Sequence, residues 1–194
     1  MNYKKISNIL KKDGVVVFPT ETVYGIGANA LSKKAIDKIY KIKKRPREKA
    51  INIMVGKKED IEKYAYIKSD IERKIIDKLM PGPLTIILNK KKDFGKDFTK
   101  AKTIGIRIPN SLVAQNILKE VDFPLLVSSA NISSMPPLNN FQDIKHQFGK
   151  IVDVIIDGGI IDGLPSTIVK VVDEKITILR EGTLSKEEIE SIVR

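Results

Sequence analysis

Two arginines stand inside apolar segments that are typical of β-strands. Arg107 lies within segment 103–109, and Arg180 ends segment 176–180. Alternation puts Arg107 on the strand face opposite its isoleucine neighbours. A guanidinium in such a place needs a carboxylate or phosphate, either from the protein in a structural salt bridge or from a ligand. Only six of the 35 basic residues are arginines, so two at such positions favour an anionic ligand.

A second group of cations lies in segment 43–49, Lys-Lys-Arg-Pro-Arg-Glu-Lys, which holds five basic residues. The segment ends a predicted helix, so the cations could simply favour the negative end of the helix dipole. Alternatively they form a phosphate clamp, because Pro46 and the strand after it would fix the orientations of Lys43 and Arg45. The residues alone leave both interpretations open.

Small hydrogen-bonding residues lie beside predicted strands at two further places. Segment 127–133, Val-Ser-Ser-Ala-Asn-Ile-Ser, leaves one strand, and Pro-Ser-Thr at 165–167 enters another. Hydroxyl and backbone groups at such points can surround a polar ligand, although serine-rich loops are also common without one. Each segment by itself is a weak signal.

The glycines of segment 25–30, Gly-Ile-Gly-Ala-Asn-Ala, match a dinucleotide-binding fingerprint only formally. In that fingerprint a glycine turn opens a helix directly after a strand, so that the backbone approaches a pyrophosphate. Here the first glycine comes seven residues after a strand that ends at Phe18, and Pro19 intervenes. We therefore expect a structural glycine turn. Because the chain also lacks a Gly-x-x-x-x-Gly-Lys-Ser/Thr loop, any phosphates must be bound in another way.

The composition excludes several kinds of chemistry and compartment. The 194 residues include no cysteine and one histidine, His146, which excludes disulfides, thiolate nucleophiles and metal sites with several histidine or cysteine ligands. We expect no metal site made by the protein. No apolar run approaches the ~18 residues of a membrane helix, and the N-terminus lacks the pattern of a signal peptide. These features predict a cytoplasmic protein without membrane association.

The formal net charge of +11 has two interpretations. Lysines supply 29 of the 35 basic residues, which is consistent with an ordinary solvated surface. A basic face also attracts polyanions such as RNA through counterion release. Charge alone does not separate the two.

Alternating helical and strand-like patterns provide the elements that must position these groups. We expect strands at 15–18, 51–55, 84–88, 103–108, 125–128, 152–156, 167–172 and 176–180. Helices are expected near 3–12, 32–45, 58–64, 69–79, 111–121, before 148 and after 185, and the lysine-rich segment 90–102 is expected to be a mobile loop. This order predicts an α/β protein with three layers around a twisted, open, mixed sheet, in one domain covering residues 1–194.

Six motifs occur in order along the chain. They are Phe-Pro-Thr-Glu-Thr-Val-Tyr-Gly (18–25), Lys-x-Arg-Pro (43–46), Pro-Gly-Pro-Leu-Thr (81–85), Gly-Ile-Arg-Ile-Pro (105–109), Ser-Ala-Asn-Ile-Ser (129–133) and Pro-Ser-Thr-Ile-Val (165–169). Together they resemble the YrdC/TsaC family, and the resemblance extends from about residue 6 to residue 183. Longer members of that family add a C-terminal domain, which we do not expect here.

The resemblance implies a YrdC-like fold and an L-threonylcarbamoyladenylate synthase. Such nucleotidyltransferases join L-threonine, bicarbonate and ATP into threonylcarbamoyl-AMP and release pyrophosphate, for threonylcarbamoyladenosine modification of tRNA. The resemblance also implies weak binding of tRNA or double-stranded RNA and transfer proteins that receive the product. Mg²⁺ is expected with the nucleotide, held mainly by phosphates and water. The alternative is a basic RNA-binding module with no chemistry of its own.

The resemblance also assigns residues to the substrates. It implies catalytic roles for Lys43 and Arg45. The nucleotide contacts that it implies are Lys43, Arg45, Lys49, Thr103, Ser129, Asn131 and Arg180. The threonine contacts are Thr22, Met54, Arg107, Val127 and Ser166, with Arg107 as the partner of the carboxylate. Some relatives have a nucleotide-contacting serine where this chain has Pro137, so we expect that contact to be missing.

Overall fold

A computed structural model describes residues 1–193, and its ten strands form one mixed sheet. The strands are β1 (Val15–Phe18), β2 (Gly25–Asn29), β3 (Asn52–Met54), β4 (Ala65–Tyr66), β5 (Leu84–Lys90), β6 (Thr103–Arg107), β7 (Leu125–Ser129), β8 (Val154–Ile155), β9 (Thr167–Val172) and β10 (Lys175–Arg180). The helices are α1 (Tyr3–Lys11), α2 (Lys33–Ile42), α3 (Ile61–Tyr64), α4 (Asp70–Leu79), α5 (Leu112–Lys119), α6 (Phe141–Phe148) and α7 (Lys186–Val193), with a 3-10 turn at Lys58–Asp60 before α3.

The spatial order of the strands is β10-β9-β5-β6-β3-β7-β2-β1-β8, with β4 paired to the end of β5. The pairs β1/β8, β3/β6 and β5/β9 are parallel, and the remaining pairs are antiparallel. In the centre, β3 pairs Met54 with Arg107 of β6 on one side and Asn52 with Val127 of β7 on the other. This register puts motifs from distant parts of the chain side by side.

Helices cover the two faces of the sheet unequally. One face carries the larger core, where strand residues such as Ile53 and Ile106 pack with residues of α2, α4, α6 and α7. On the other face a smaller core joins α1 and α5 to the strands around Phe18 and Leu125. Beyond α1 and α5, the second face carries polar side chains, Arg107 among them, on β3, β5 and β6. The structure confirms the predicted three-layer α/β fold, and the polar part of the second face becomes the candidate site.

Local sequence signals explain where the helices begin. Ser69 and Glu72 form a capping box, in which Ser69 Oγ accepts from the backbone N–H of Glu72 while Glu72 accepts from that of Ser69. Ser185 and Glu188 make the same reciprocal bonds before α7. Each such arrangement satisfies backbone donors that the first helical turn leaves free.

The predicted glycine turn at 25–30 is wrong, because these residues form strand β2. Gly27 pairs with Val16 of β1 and Val127 of β7, and it lies against the ring of Phe18. A Cβ at Gly27 would come within 2.9 Å of that ring. The glycines therefore make room for an aromatic side chain, and the dinucleotide fingerprint has no helix to open.

Segment 90–102 is anchored more firmly than its lysines suggest. Phe94 and Phe98 are 8% and 2% exposed, and the Phe94 ring lies 4.7 Å from that of Tyr64, centroid to centroid. The segment thus adds two phenyl rings to the larger core. The high lysine content of the segment does not reveal the burial of these two rings, because polar residues separate them in the sequence.

Candidate functional site

A cavity opens on the second face of the sheet, beyond the cover of α1 and α5. It encloses about 830 Å³ including its open mouth. The residues that line it come from β3, β5, β6, β7 and β9, from Arg45 and Ala50 before β3, and from Thr20, Val23, Pro165 and Arg180. Five of the six sequence motifs therefore supply its wall, and the sixth, Pro-Gly-Pro-Leu-Thr, supplies Thr85 in its floor.

Three guanidinium groups line this cavity, those of Arg45, Arg107 and Arg180. Burial lowers the pKa of Arg45. Partial desolvation, together with the like charge of Arg107, lowers the pKa of Arg180. Cations that are brought together against their own repulsion are typical of a site for an anionic ligand.

Arg107 has internal partners on every nitrogen of its side chain. Its Nε donates to the carbonyl of Gly82 (3.2 Å), and its Nη1 donates to Thr22 Oγ1 (3.0 Å). Its Nη2 lies 2.8 Å from Oε1 of Glu21, which forms an ion pair. The pair is not aligned as a hydrogen bond, and Nη2 and Glu21 Oε2 are buried without a hydrogen-bond partner in the described chain. Arg107 is therefore held rigidly and keeps unused donor capacity at Nη2.

Glu21 provides, from within the protein, the carboxylate that the guanidinium of Arg107 was expected to need. Besides its ion pair with Arg107, its Oε1 accepts from the backbone N–H of Asn110 (2.8 Å), just before α5 begins. The internal salt bridge and the ligand-binding interpretation of Arg107 are thus both compatible with the geometry. The two residues are 86 positions apart in the sequence, and only the register of the sheet brings them together.

Ser166 connects Arg180 to the cavity floor. Arg180 Nη2 donates to the Ser166 carbonyl (2.7 Å) and approaches its Oγ (3.4 Å). Ser166 Oγ also shares a hydrogen bond of 2.9 Å with Thr85 Oγ1, and both side chains are almost fully buried. A pair of hydroxyls beside two guanidiniums suits a ligand that carries both negative charge and a hydroxyl group.

Arg45 is fixed by the backbone of the loop that follows it. Its Nε and Nη2 donate to the carbonyls of Lys49 and Ala50, each at 2.8 Å. Pro46 and this bonding hold the guanidinium at the cavity wall, as a phosphate clamp requires. Lys49 takes part through its carbonyl, while the residue itself is exposed.

Lys43, Ser129 and Asn131 form a buried hydrogen-bonded group. Lys43 Nζ donates to the carbonyls of Ser129 (2.5 Å) and Asn131 (2.8 Å) and to Asn131 Oδ1 (3.2 Å). Ser129 Oγ donates to the same Oδ1 (2.7 Å). Burial, with a smaller effect of Arg45, lowers the pKa of Lys43 to about 7. Ser129 reaches the cavity, but Lys43 and Asn131 stay behind its wall.

The predicted site residues divide into those that line the cavity and those that support it. Seven of the twelve line it: Arg45, Met54, Arg107, Val127, Ser129, Ser166 and Arg180. Thr22 is fully buried and accepts from Arg107 while sharing a bond of 3.0 Å with Thr20 Oγ1. Thr103 lies on β6, four residues before Arg107. Thr103, Lys43, Lys49 and Asn131 are all outside the lining.

Sequence reasoning missed several polar residues of the cavity. Asn52 and Thr85 line it, as does Thr20, whose hydroxyl donates to the carbonyl of Val23 (2.6 Å). Strand alternation could have found Asn52 and Thr85, because each is a polar residue between apolar ones. Glu21 had no local signal beyond its place in the first motif.

The arrangement can bind anions and orient them, but it offers little for covalent catalysis. No cluster of three or more histidine, cysteine, aspartate or glutamate side chains able to hold a metal occurs within residues 1–193. The described helices include none long and apolar enough to cross a bilayer. What the cavity presents is cationic charge, hydroxyl groups and a rigid floor.

Comparisons with known proteins agree with this geometry. The model of the Sua5/YciO/YrdC family, described as "Telomere recombination", matches residues 8–182. A Methanocaldococcus jannaschii protein, provisionally named threonylcarbamoyl-AMP synthase, is 44% identical over 187 residues, which cover 93% of this chain and 87% of that protein. The threonylcarbamoyl-AMP synthase of Bacillus subtilis is 32% identical over 188 residues, 95% of this chain and 54% of the relative.

Among solved structures, the crystal structure of Pyrococcus abyssi Sua5 complexed with L-threonine superposes with a TM-score of 0.93 and 31% identity. The superposition covers 98% of this chain and 56% of the Sua5 chain. The chain thus spans about half the length of the B. subtilis and P. abyssi relatives and most of the M. jannaschii one. By sequence and by structure, the chain belongs to the Sua5/YciO/YrdC family.

Proposed function

We propose that this protein is an L-threonylcarbamoyladenylate synthase, which converts L-threonine, bicarbonate and ATP into threonylcarbamoyl-AMP and pyrophosphate. The observation that carries the proposal is the convergence of Arg45, Arg107 and Arg180 on one hydroxyl-lined cavity. Relatives named for this activity, and one solved with L-threonine, support it. The reaction class is nucleotidyl transfer.

The chemistry that this reaction needs matches what the cavity contains. The amine of threonine first forms an N–C bond to bicarbonate carbon with loss of water, which gives a carbamate. A carbamate oxygen then attacks the α-phosphorus of ATP while the bond to pyrophosphate breaks. Both reactants are anions, so cations must bring them together, and positioning supplies most of the rate. This scheme requires neither a cysteine nor a histidine nucleophile.

The nucleotide belongs on the side of the cavity formed by Arg45 and Ser129. Arg45 is clamped to the backbone of Lys49 and Ala50, and Ser129 lies on the neighbouring strand β7. We assign phosphate contacts to Arg45 and Ser129, and a further nucleotide contact to Arg180. Thr103 lies on β6 outside the lining, so its nucleotide contact stays an expectation from the family resemblance. Lys49 contributes through the backbone that Arg45 holds.

Threonine belongs near Arg107, which lines the cavity and would attract its carboxylate. Ser166 supplies a small hydroxyl for the amine or side chain, and the fully buried Thr22 acts through Arg107, whose Nη1 donates to its Oγ1. Met54 and Val127 line the cavity as apolar residues, which suits the methyl group of threonine. Arg107 is paired with Met54 in the sheet register, so this contact surface is rigid.

Mg²⁺ enters this scheme as part of the substrate. Among the described residues, no aspartate or glutamate lines the cavity, and Glu21 is paired with Arg107, so the metal would be held by the triphosphate and water. We also propose that the labile product passes to tRNA-modifying transfer proteins in the cytoplasm. The charge of +11 supports weak binding of RNA as an accessory property.

Omission of single substrates tests the proposal. Pyrophosphate release is measured with ATP, threonine and bicarbonate together, and again with each one left out, without RNA. We expect release only from the complete mixture. No release from the complete mixture, together with salt-sensitive RNA binding, would instead support an RNA-binding module without chemistry.

A further inference from the structure

Lys43 is a buried cation, whereas a direct contact with the nucleotide would need an exposed ammonium group. It is 1% exposed, and it follows the last residue of α2. Arg45, two residues later, lines the cavity, while Lys43 does not. The two cations of the Lys-x-Arg motif therefore face different surroundings.

The hydrogen-bond count of Lys43 leaves nothing for a ligand. An ammonium group has three N–H donors, and Nζ has three acceptors: the carbonyls of Ser129 and Asn131 and the Oδ1 of Asn131. The backbone of Lys43 adds a fourth tie, because its carbonyl accepts from the N–H of Ser133 (2.8 Å). Lys43 is thus bonded to both ends of segment 129–133.

Ser129 connects Lys43 to the cavity, where the substrate would bind. Its hydroxyl donates to Asn131 Oδ1 (2.7 Å), the same oxygen that accepts from Lys43. Asn131 Nδ2 in turn donates to the carbonyl of Met135. The Ser129 carbonyl also accepts from the backbone N–H of Asn131 (3.0 Å), whereas Lys43 Nζ is the one donor to the Asn131 carbonyl among the described residues. Removing the ammonium would leave that carbonyl oxygen unsatisfied, and the segment would rearrange to reach water.

We infer that Lys43 is a positioning residue, which fixes Ser129 and Asn131 at the cavity wall and does not itself touch the phosphates. The inference rests on the proposed function only in taking ATP as the ligand. Lys43 then affects the affinity for the nucleotide only by fixing the position of Ser129. The role differs from the direct contact that the family resemblance implies.

Amine labelling of the unmodified protein tests the burial without any substitution. A lysine-specific acylating reagent is applied at pH 8, with and without ATP, and modified peptides are quantified by mass spectrometry. Lys43 should stay unmodified in both samples while exposed Lys44 and Lys49 react. Burial lowers the pKa of Lys43, so an accessible Lys43 would lose that shift and react like the exposed lysines. Modification that ATP prevents would overturn the inference.

A double-mutant cycle tests the action through Ser129. ATP affinity is measured for Lys43→Met, Ser129→Ala and the double variant, with folding checked by circular dichroism and Lys41→Met as the exposed control. We expect each single variant to weaken ATP binding about tenfold, and the double variant to be no weaker than the weaker single one. Losses that multiply, or an unchanged affinity in Lys43→Met, would contradict the positioning role.

The two experiments also separate this inference from the proposed function. If the wild-type chain binds no ATP, the proposed function fails, but labelling still reports whether Lys43 is buried. If ATP binds and Lys43 is labelled and protected, the function stands and the inference fails. Should Lys43→Met not fold, the labelling result alone decides.

Discussion

Guanidinium groups that share a cavity repel one another unless negative charge lies among them. Within residues 1–193, Arg107 is the one guanidinium of this site that has a carboxylate partner, Glu21, whereas Arg45 and Arg180 are bonded to carbonyl groups. Two positive charges are therefore left without compensation, which favours a polyanionic substrate such as ATP.

Replacement of Arg45 by alanine removes the clamped guanidinium from the cavity wall. Loss of a charge-assisted bond costs on the order of 1.5–3 kcal/mol. Because 1.4 kcal/mol corresponds to a factor of ten, threonine- and bicarbonate-dependent pyrophosphate release should fall at least about tenfold. Lys41→Ala, an exposed cation on α2, serves as the control and should keep its activity. Near-normal turnover of Arg45→Ala would remove Arg45 from the site.

Replacement of Arg107 by lysine separates ligand binding from structural support. Lysine cannot reproduce the planar group that reaches Gly82, Thr22 and Glu21 at once, so both threonine affinity and melting temperature should fall. ATP affinity should change little. Threonine binding by calorimetry and thermal unfolding are measured on the same sample. If the folded variant binds threonine as tightly as the wild type, Arg107 has only a structural role.

The pKa of Lys43 links protein stability to pH. Burial lowers this pKa from 10.5 to about 7 in the folded state. Between these values the unfolded chain binds more protons than the folded one, so the free energy of unfolding rises with pH, by at most about 1.4 kcal/mol per unit. Denaturant unfolding of wild type and Lys43→Met is measured at pH 7, 8 and 9. The free energy of unfolding of the wild type should rise with pH relative to that of Lys43→Met. A constant difference would mean that Lys43 does not titrate in this range.

At the scale of secondary-structure elements, local signals predicted most of the fold. The helices expected at 69–79 and after 185 begin at capping boxes, and the strands expected at 167–172 and 176–180 form the antiparallel pair β9 and β10. Strand β2 was missed because its glycines are placed by the ring of Phe18, which a local pattern does not show. Glu21 was missed for a related reason, since its partner Arg107 meets it only in the folded sheet.

Segment 157–166 packs tightly on the first motif, and this contact can be tested at Gly163. A Cβ at Gly163 would lie 2.2 Å from the carbonyl oxygen of Thr22, so Gly163→Ala must push the two backbones apart. Because Thr22 and Ser166 lie beside this contact, we expect a several-fold loss of threonine affinity and a lower melting temperature. Gly56→Ala, whose Cβ would meet Leu118 at an ordinary 3.5 Å, is the matched control. Equal behaviour of the two variants would show that the segment does not position the threonine site.

At the scale of the whole molecule, residues from Thr20 to Arg180 meet in one cavity. They lie on strands of one continuous sheet and on the loops that join them. We expect the 194-residue chain to carry out the reaction without an additional domain and without RNA.

The proposed reaction joins threonine, bicarbonate and ATP in one product, so the carbon of bicarbonate must appear in the adenylate. Mass spectrometry of the reaction with ¹³C-labelled bicarbonate, threonine and ATP, in the absence of RNA, measures this transfer. We expect threonylcarbamoyl-AMP that carries the ¹³C label, in amounts equal to the pyrophosphate released. Pyrophosphate accompanied only by AMP, or by no labelled adenylate, would contradict the proposed reaction.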